Sequence, residues 1–390
     1  MNSVPFYSLD YVSDSLGSEI SSAFDAVQKS GWFIRGKFCQ QFETAFAGYC
    51  GVKHGVGVGN GLDALTLMLR AEIELGRLQK GDEVLVPANT FIATILGITS
   101  AGLVPVLVEP DETTFNLDPS RLAAACTAKT KAIMVVHLYG RLAAMNQICA
   151  FAKERNLRVF EDAAQAHGAE LSTTGTIFAE SGKAQMRAGA FGDAAAFSFY
   201  PTKNLGALGD AGMVVTDDDE LAKVVRALGN YGSAEKYVNR YQGVNSRLDE
   251  LQAALLLKKL PQLDCWNQRR REIAARYIAE IKNPAVILPK TATADHVFHI
   301  FAVRAESAAA REQLQQFLLA RGIESMVHYP IPPHLQEAYC NEPWAENVHL
   351  PITEALAKQE LSLPMGPHLT DAQVAQVIEA VNAFNPNAGF

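Results

Sequence analysis

The sequence predicts an α/β fold, in which a mostly parallel sheet carries helices on both faces and a smaller C-terminal α/β domain follows. Short apolar runs of strand type alternate with helical stretches between about residues 54 and 216, as in parallel strands joined by helical crossovers. The chain has 390 residues, which is more than a single hydrophobic core usually supports. We therefore expect a large domain over residues 1–260 and a small domain over residues 261–390.

The elements of the large domain are predicted in order along the chain. Two amphipathic helices, at 13–30 and 38–49, come first. A strand at 56–58 then leads through a glycine-rich turn into a helix at 62–74. Further strands are predicted at 83–86, 104–108, 132–137, 157–161, 194–199 and 212–216, with helices at 90–101, 119–126 and 145–155. Ligands of such sheets bind beyond the carboxyl ends of the strands.

The small domain has a pattern of its own. Residues 247–285 are strongly helical with a break near Pro261, and we expect them to connect the two domains. Beyond them, strands are predicted at 296–303 and 325–328, and helices at 308–321 and 370–384. Residues 172–185 are the least patterned internal stretch and predict a surface excursion.

Composition restricts the class of partner. The net charge is -8, which argues against nucleic acid or an anionic membrane as the main partner. Six cysteines are scattered without metal-binding spacing, so we expect reduced thiols, no metal site and a cytoplasmic location. The first residues lack the basic and apolar regions of a signal peptide. No apolar run reaches the roughly 20 residues of a membrane helix.

A lysine lies at the centre of the chemistry that the sequence suggests. Residues 192–212 read GDAAAFSFYPTKNLGALGDAG, so Lys203 follows an apolar strand and a proline and enters a glycine-rich loop. Most lysines in such loops are simply solvated. A lysine at the end of a buried strand is nevertheless where a Schiff-base lysine would lie, provided that the other necessary groups are present.

A glycine-rich turn offers two interpretations. Residues 59–64, GNGLDA, fit the G-x-G-x-x-A pattern of dinucleotide-binding folds, so an NAD-dependent sugar dehydrogenase is one alternative. Two features count against it: Asp82 and Glu83 lie at the beginning of the second strand instead of at its far end, and the turn comes after two helices. A glycine turn that opens a helix also suits a phosphate, because it presents free N–H groups and the positive end of the helix dipole.

Further polar and aromatic residues follow the predicted strands. Asp162 ends one strand and could pair with a cationic ring nitrogen, although it could equally cap the next helix. Ser198 could donate to a phosphate, and Phe91 could stack on a ring, although a core position is its ordinary role. With Lys203, these groups form the set that pyridoxal 5'-phosphate needs: a phosphate anchor, a stacking surface, an acid partner and an amine.

The motifs GNGLDAL, PANTFIAT, FEDAAQAHGA, GDAAAFSFYPTKNLGALGDAG and GVNSRLDELQAALL resemble the DegT/DnrJ/EryC1/StrS family of sugar aminotransferases over nearly the whole chain. The resemblance implies an aspartate aminotransferase-like fold, a three-layer sandwich of the fold type I class, with pyridoxal 5'-phosphate as cofactor. It implies that Lys203 forms the Schiff base and then moves the proton. The cofactor contacts that it implies besides Lys203 are Gly61, Leu62, Phe91, Asp162, Gln165, Ser198 and, from a neighbouring subunit, Asn245.

The same resemblance implies a substrate and partners. Tyr200, His328 and His334 resemble residues near the sugar, while Lys236 and Arg35 are candidates for the nucleotide diphosphate. Asn245 implies a homodimer with shared active sites. The expected reaction moves an amino group from L-glutamate to C-3 of a dTDP-3-keto-6-deoxyhexose, in a pathway to a polysaccharide or a glycosylated metabolite.

Several alternatives remain open at this level. One is amination at C-4 of a nucleotide sugar, and another is a non-catalytic regulator that binds pyridoxal phosphate. Relatives with histidine in place of the lysine are dehydratases, and Lys203 therefore favours transamination. The segment between residues 170 and 187 is longer than the family pattern leads us to expect.

Overall fold

The structure, a computed structural model, describes residues 3–235, 237–346 and 348–386. The α-helices are α1 Asp10–Ser30, α2 Lys37–Cys50, α3 Gly61–Glu74, α4 Ile92–Ser100, α5 Leu122–Ala125, α6 Met145–Arg155, α7 Asp219–Leu228, α8 Glu250–Lys259, α9 Leu263–Glu280, α10 Ala308–Leu319, α11 Pro351–Gln359 and α12 Asp371–Ala383. The strands are β1 His54–Val58, β2 Glu83–Pro87, β3 Val104–Val108, β4 Thr130–Val136, β5 Arg158–Asp162, β6 Glu170–Ser172, β7 Gln185–Arg187, β8 Ala194–Ser198, β9 Gly212–Thr216, β10 Ser233–Glu235, β11 Val238–Asn239, β12 Val286–Ile287, β13 Phe301–Ala305 and β14 Glu360–Leu363.

A seven-stranded sheet forms the centre of the large domain, in the order β1-β9-β8-β5-β4-β2-β3. The neighbours from β8 to β3 pair in parallel, whereas β9 is antiparallel to both β1 and β8. The mostly parallel sheet predicted from the sequence is thus confirmed, with β9 as its single reversed strand. The parallel strands end at one edge, where the register places Asp162 of β5 beside Ala196 of β8.

Helices cover both faces of this sheet because alternate strand residues point to opposite sides. On β2, Leu85 faces a cluster that contains Phe42 and Phe46 of α2, whereas Val84 and Val86 face a second cluster, formed with α3, α4 and α7. All of these side chains are buried. The continuous burial explains why the strands are short apolar runs rather than alternating ones.

The small domain has a separate apolar cluster. Tyr277 of α9 packs there with Phe301 of β13 and Leu361 of β14, over a three-stranded antiparallel sheet in the order β12-β13-β14. The predicted long helix is two helices, separated by a 3-10 turn at Leu260–Gln262: α8 contacts α1 and α2, and α9 contacts α12. Val4 also packs in this cluster and pairs with Ile323, although it falls within the predicted large domain; the boundary at residue 260 stays a prediction.

Some of the predicted elements were wrong. The strand expected at 296–303 begins only at Phe301, because residues 296–300 turn towards the large domain, where Val297 N donates to the Gly140 oxygen. The strand expected at 325–328 is reduced to one bridge between Met326 and Ser362. Helices α7 and α11 and strand β14 were not predicted. Residues 170–187 form a hairpin of β6 and β7 with a largely exposed loop, in agreement with the predicted excursion.

Among the described residues, we find no helix long and apolar enough to cross a membrane.

Candidate active site

A cavity of about 500 Å³ opens at the carboxyl ends of the parallel strands, where the sequence predicts a ligand site. Its lining includes nine of the predicted residues: Gly61, Leu62, Phe91, Asp162, Gln165, Ser198, Tyr200, Lys203 and His328. These residues come from four separate stretches of the large domain and one of the small domain. The fold therefore brings most of the predicted site together in one place.

Lys203 lies in the loop that follows β8, at the wall of the cavity. Burial lowers the pKa of its amine to about 8, and the nearby Asp162 carboxylate opposes this shift. Two buried side chains fix the loop: the amide of Asn204 donates to Asn267 Oδ1 at 2.9 Å, and Lys259 Nζ donates to the Gly206 oxygen at 2.6 Å. An amine with this pKa is partly neutral near pH 8, as a Schiff-base nucleophile must be.

Asp162 ends β5 inside the cavity, with 7% of its surface exposed. Thr94 Oγ1 donates to its Oδ2 at 2.8 Å, and the Ala164 N–H donates to its Oδ1 at 3.2 Å. Burial raises the pKa of Asp162, whereas these two donors and Lys203 lower it. A buried carboxylate with two donors still has lone pairs free, and a protonated ring nitrogen would supply the missing charge and hydrogen bond.

The turn before α3 also lines the cavity. The side chain of Asn60 caps the helix by accepting from Asp63 N at 2.8 Å, and Gly61 and Leu62 provide the preceding N–H groups. A Cβ on Gly61 would lie 2.7 Å from Ser198 Cβ, so only glycine allows α3 to approach β8 this closely. A helix N-terminus beside a serine hydroxyl fits a phosphate group well.

Gln165 and Phe91 line the cavity as well. Gln165 Oε1 accepts from Tyr139 N at 2.6 Å, and its Nε2 donates to Tyr329 Oη at 3.1 Å. Phe91 is 49% exposed, and its ring centroid lies 5.1 Å from that of Tyr329. An apolar ring left half exposed beside a cavity is a suitable surface on which a planar ligand can stack.

Four predicted residues either do not line this cavity or lie outside the described residues. Arg35 lines a separate cavity of about 370 Å³ together with Arg226 and Arg247. Asn245 is exposed and does not line the active-site cavity. Lys236 lies outside the described residues.

The fourth, His334, is 3% exposed, lies beside Glu354 and does not line the cavity, so its contact with the sugar stays a prediction.

Sequence reasoning missed several residues that support the site. Thr94 received no role from the sequence, yet a threonine inside a buried helix often has a specific hydrogen-bonding partner. Asn204, directly after Lys203, received no role. Glu360 and Ser362 contact His328 from β14, and nothing in their local sequence pattern indicates this contact.

The part of the chain that the structure describes has no group of three or more His, Cys, Asp or Glu side chains placed to hold a metal ion.

The chain is similar to several known proteins. The model of the DegT/DnrJ/EryC1/StrS aminotransferase family matches residues 14–382. The dTDP-3-amino-3,6-dideoxy-alpha-D-galactopyranose transaminase of Aneurinibacillus thermoaerophilus is 50% identical over 383 residues, which cover 98% of this chain and 99% of that protein. DesV of S. venezuelae, solved in complex with a ketimine intermediate, superposes with a TM-score of 0.89 at 44% identity and 98% coverage of both chains. NtdA from Bacillus subtilis, solved with bound cofactor PMP, superposes with a TM-score of 0.84 at 30% identity, over 98% of this chain and 85% of that one.

Proposed function

The chain belongs to the DegT/DnrJ/EryC1/StrS aminotransferase family, and we propose that it moves an amino group from L-glutamate to C-3 of a dTDP-3-keto-6-deoxyhexose. It is an aminotransferase, and its cofactor is pyridoxal 5'-phosphate. The dehydrogenase alternative is thereby set aside. The choice of substrate rests on the 50% identity to a dTDP-3-amino-sugar transaminase over almost the full length of both chains.

One observation carries the proposal at the level of the site. Lys203, Asp162 and the glycine turn before α3 line one cavity. When bound, pyridoxal 5'-phosphate supplies an electron sink that makes the carbon next to the donor nitrogen acidic and lets the amino group change carriers. The groups that it requires, an amine, an acid partner for its ring and a phosphate cradle, are all present.

The chain's own residues then have distinct tasks. Lys203 Nζ, whose pKa burial lowers to about 8, both accepts and gives up a proton near neutral pH. Asp162 provides a negative charge that the Thr94 hydroxyl holds in position. Gly61, Leu62 and Ser198 would hold the phosphate, and the exposed Tyr200 and the partly exposed His328, which line the same cavity, would face the sugar. The same acid and amine serve both halves of the reaction.

The test of this function is a substrate panel. The purified protein, loaded with pyridoxal 5'-phosphate, is incubated with L-glutamate and a set of 3-keto and 4-keto nucleotide sugars, and the products are identified by mass spectrometry and NMR. We expect a 3-amino product from a dTDP-3-keto-6-deoxyhexose. A 4-amino product would favour the C-4 alternative, and turnover of no keto sugar would leave a cofactor-binding regulator.

We also propose that two copies of the chain share their active sites, with Asn245 of each reaching the phosphate of the other. Asn245 is exposed and absent from the cavity of its own chain. Hybrid dimers of Lys203→Ala and Asn245→Ala chains test this sharing, since one site of each hybrid would carry both changes and the other neither. Activity well above that of either parent is expected. Mixtures no more active than the parents would refute it.

The polysaccharide pathway and the cytoplasmic location that the sequence predicts remain proposals.

A further inference from the structure

His328 has one ring nitrogen committed before any ligand arrives. Its Nδ1 lies 2.8 Å from Ser362 Oγ, and its ring is held between Phe6, stacked at 5.8 Å, and the edge of Tyr329 at 5.3 Å. His328 also lines the cavity. The nitrogen that remains for a ligand is therefore Nε2, and the proton on Nδ1 determines what Nε2 can do.

Behind His328, the hydrogen bonds continue to a buried acid. Ser362 Oγ contacts Glu360 Oε1, and Glu360 Oε2 accepts from the backbone N–H of His328 at 2.7 Å. Glu360 is 1% exposed and Ser362 is fully buried. Within the described residues, no ion pair is found for this carboxyl group.

Charged and titratable groups face Glu360 from the neighbouring elements. Arg311 of α10 is near enough to favour its charged form, and Tyr139 and Tyr329 also lie near enough to interact with it. Arg304, its cross-strand neighbour on β13, is instead paired with Glu112. Burial outweighs the favourable contacts and raises the pKa of Glu360 to about 8.

The direction of the hydrogen bonds follows from counting protons. His328 is neutral, because burial and the charge on Lys203 lower its pKa to about 4, so one ring nitrogen carries a proton and the other accepts. When Glu360 is ionised it can only accept; Ser362 then donates to Glu360 and accepts from Nδ1–H, and Nε2 is left as an acceptor.

When Glu360 is protonated, its Oε2 still has to accept from the backbone N–H of His328, so the proton lies on Oε1 and is donated to Ser362 Oγ. The serine hydroxyl then donates to Nδ1, and the proton of the imidazole lies on Nε2. One proton on a buried acid thus reverses both hydrogen bonds and changes what His328 presents to the cavity.

We propose that Glu360 and Ser362 are positioning residues that make His328 a hydrogen-bond donor towards the sugar at neutral pH and an acceptor in alkaline solution. This inference rests on the proposed function, because a keto sugar gives the donor form its purpose. A keto oxygen can only accept hydrogen bonds, whereas a hydroxyl group can do both. The donor form is accordingly the one that fits the keto group.

The tautomer itself can be measured without turnover. The protein, loaded with its cofactor, is labelled with ¹⁵N-histidine, and NMR distinguishes protonated from unprotonated ring nitrogens; the His328 signals are assigned by their loss in His328→Gln. We expect the proton to lie on Nε2 at pH 6.5 and on Nδ1 at pH 9.5. In Glu360→Gln it should stay on Nε2 throughout, because the amide keeps its oxygen for the backbone N–H and donates to Ser362.

Kinetics give the second measurement. Only the fraction of enzyme in the donor form binds the keto group well, so kcat/KM for the keto sugar should fall about tenfold from its plateau by one pH unit above the transition. Glu360→Gln should match the wild type at pH 7 and exceed it about tenfold at pH 9. The ratio of the two enzymes' kcat/KM values for glutamate should not change with pH, because Lys203 is the same in both. Glu306→Gln, which changes an exposed carboxylate after β13, is the matched control.

Two results would overturn this proposal. One is a His328 ring proton that stays on one nitrogen from pH 6.5 to 9.5 in the wild type. The other is a pH profile of kcat/KM for the keto sugar that is identical in Glu360→Gln and in the wild type. If Glu360→Gln does not fold, the wild-type NMR titration alone decides, and Ser362→Ala cuts the same chain of hydrogen bonds. Failure of the proposed function looks different, because the tautomer would still change with pH while no keto sugar is aminated.

Discussion

Replacing Thr94 by valine removes the side-chain donor that holds Asp162. The Thr94 hydroxyl donates to Asp162 Oδ2 at 2.8 Å, and both residues are buried. Valine has nearly the same shape, so the packing of α4 is kept while the hydrogen bond is lost. The change therefore tests whether this bond keeps Asp162 ionised and aimed into the cavity.

The magnitude follows from the character of the bond. A hydrogen bond to a charged group contributes about 1.5–3 kcal/mol, and one pKa unit corresponds to about 1.4 kcal/mol. Burial already raises the pKa of Asp162, and the Thr94 bond opposes that shift. Its loss should raise the pKa of Asp162 further and, through the loss of about 1.5–3 kcal/mol, weaken cofactor binding about 10- to 100-fold at neutral pH.

Titration of the apo-protein with pyridoxal 5'-phosphate, followed by absorbance, gives the affinity, and single-turnover rates with glutamate give the chemistry. Thr99→Val is the matched control, since Thr99 lies on the same helix and bonds to Tyr339 instead. The reasoning would be refuted if Thr94→Val bound the cofactor as tightly as Thr99→Val and reacted as fast.

Three further predictions concern Lys203, Gly61 and His167. Lys203→Ala should keep the fold and lower the transamination rate at least about a thousandfold. Lys258→Ala, a change on the exposed side of α8, should leave the rate unchanged. Both are measured in a steady-state assay with glutamate, and full activity without Lys203 would disprove its role. Gly61→Ala would place a Cβ 2.7 Å from Ser198 Cβ and should weaken cofactor binding. Gly17→Ala, whose Cβ meets nothing within 4 Å, should not. Equal affinities of the two variants for the cofactor would contradict the phosphate cradle. Burial lowers the pKa of His167 from 6.5 to about 3, so the unfolded chain takes up this proton first, and stability falls as the pH drops from 6.5 towards 3. The slope contributed is up to about 1.4 kcal/mol per pH unit, and urea unfolding of His167→Gln between pH 7 and 5 should show a shallower decline than the wild type; an unchanged slope would count against the assignment.

Much of the fold could be predicted because its signals are local. The apolar run that forms β8 and the proline after it indicate where the strand ends, and the parallel arrangement brings such ends to one edge. Helix α7 was missed although Asp218 caps it and its apolar residues lie on one face. The strands predicted at 296–303 and 325–328 failed because their backbones are bent by contacts with the large domain and with Glu360, which no local pattern encodes.

The sequence by itself determined which chemical groups are present and at which strand ends they stand. Lys203, Asp162 and the turn at Gly61 could be identified because strand periodicity places them at a shared edge. The tertiary structure alone decided which side chains support them. Thr94 reaches Asp162 across 68 positions of sequence, and Ser362 reaches His328 across 34. Such hydrogen bonds depend on how separate elements pack to within a few tenths of an ångström, and packing of that kind leaves no periodic trace in the chain.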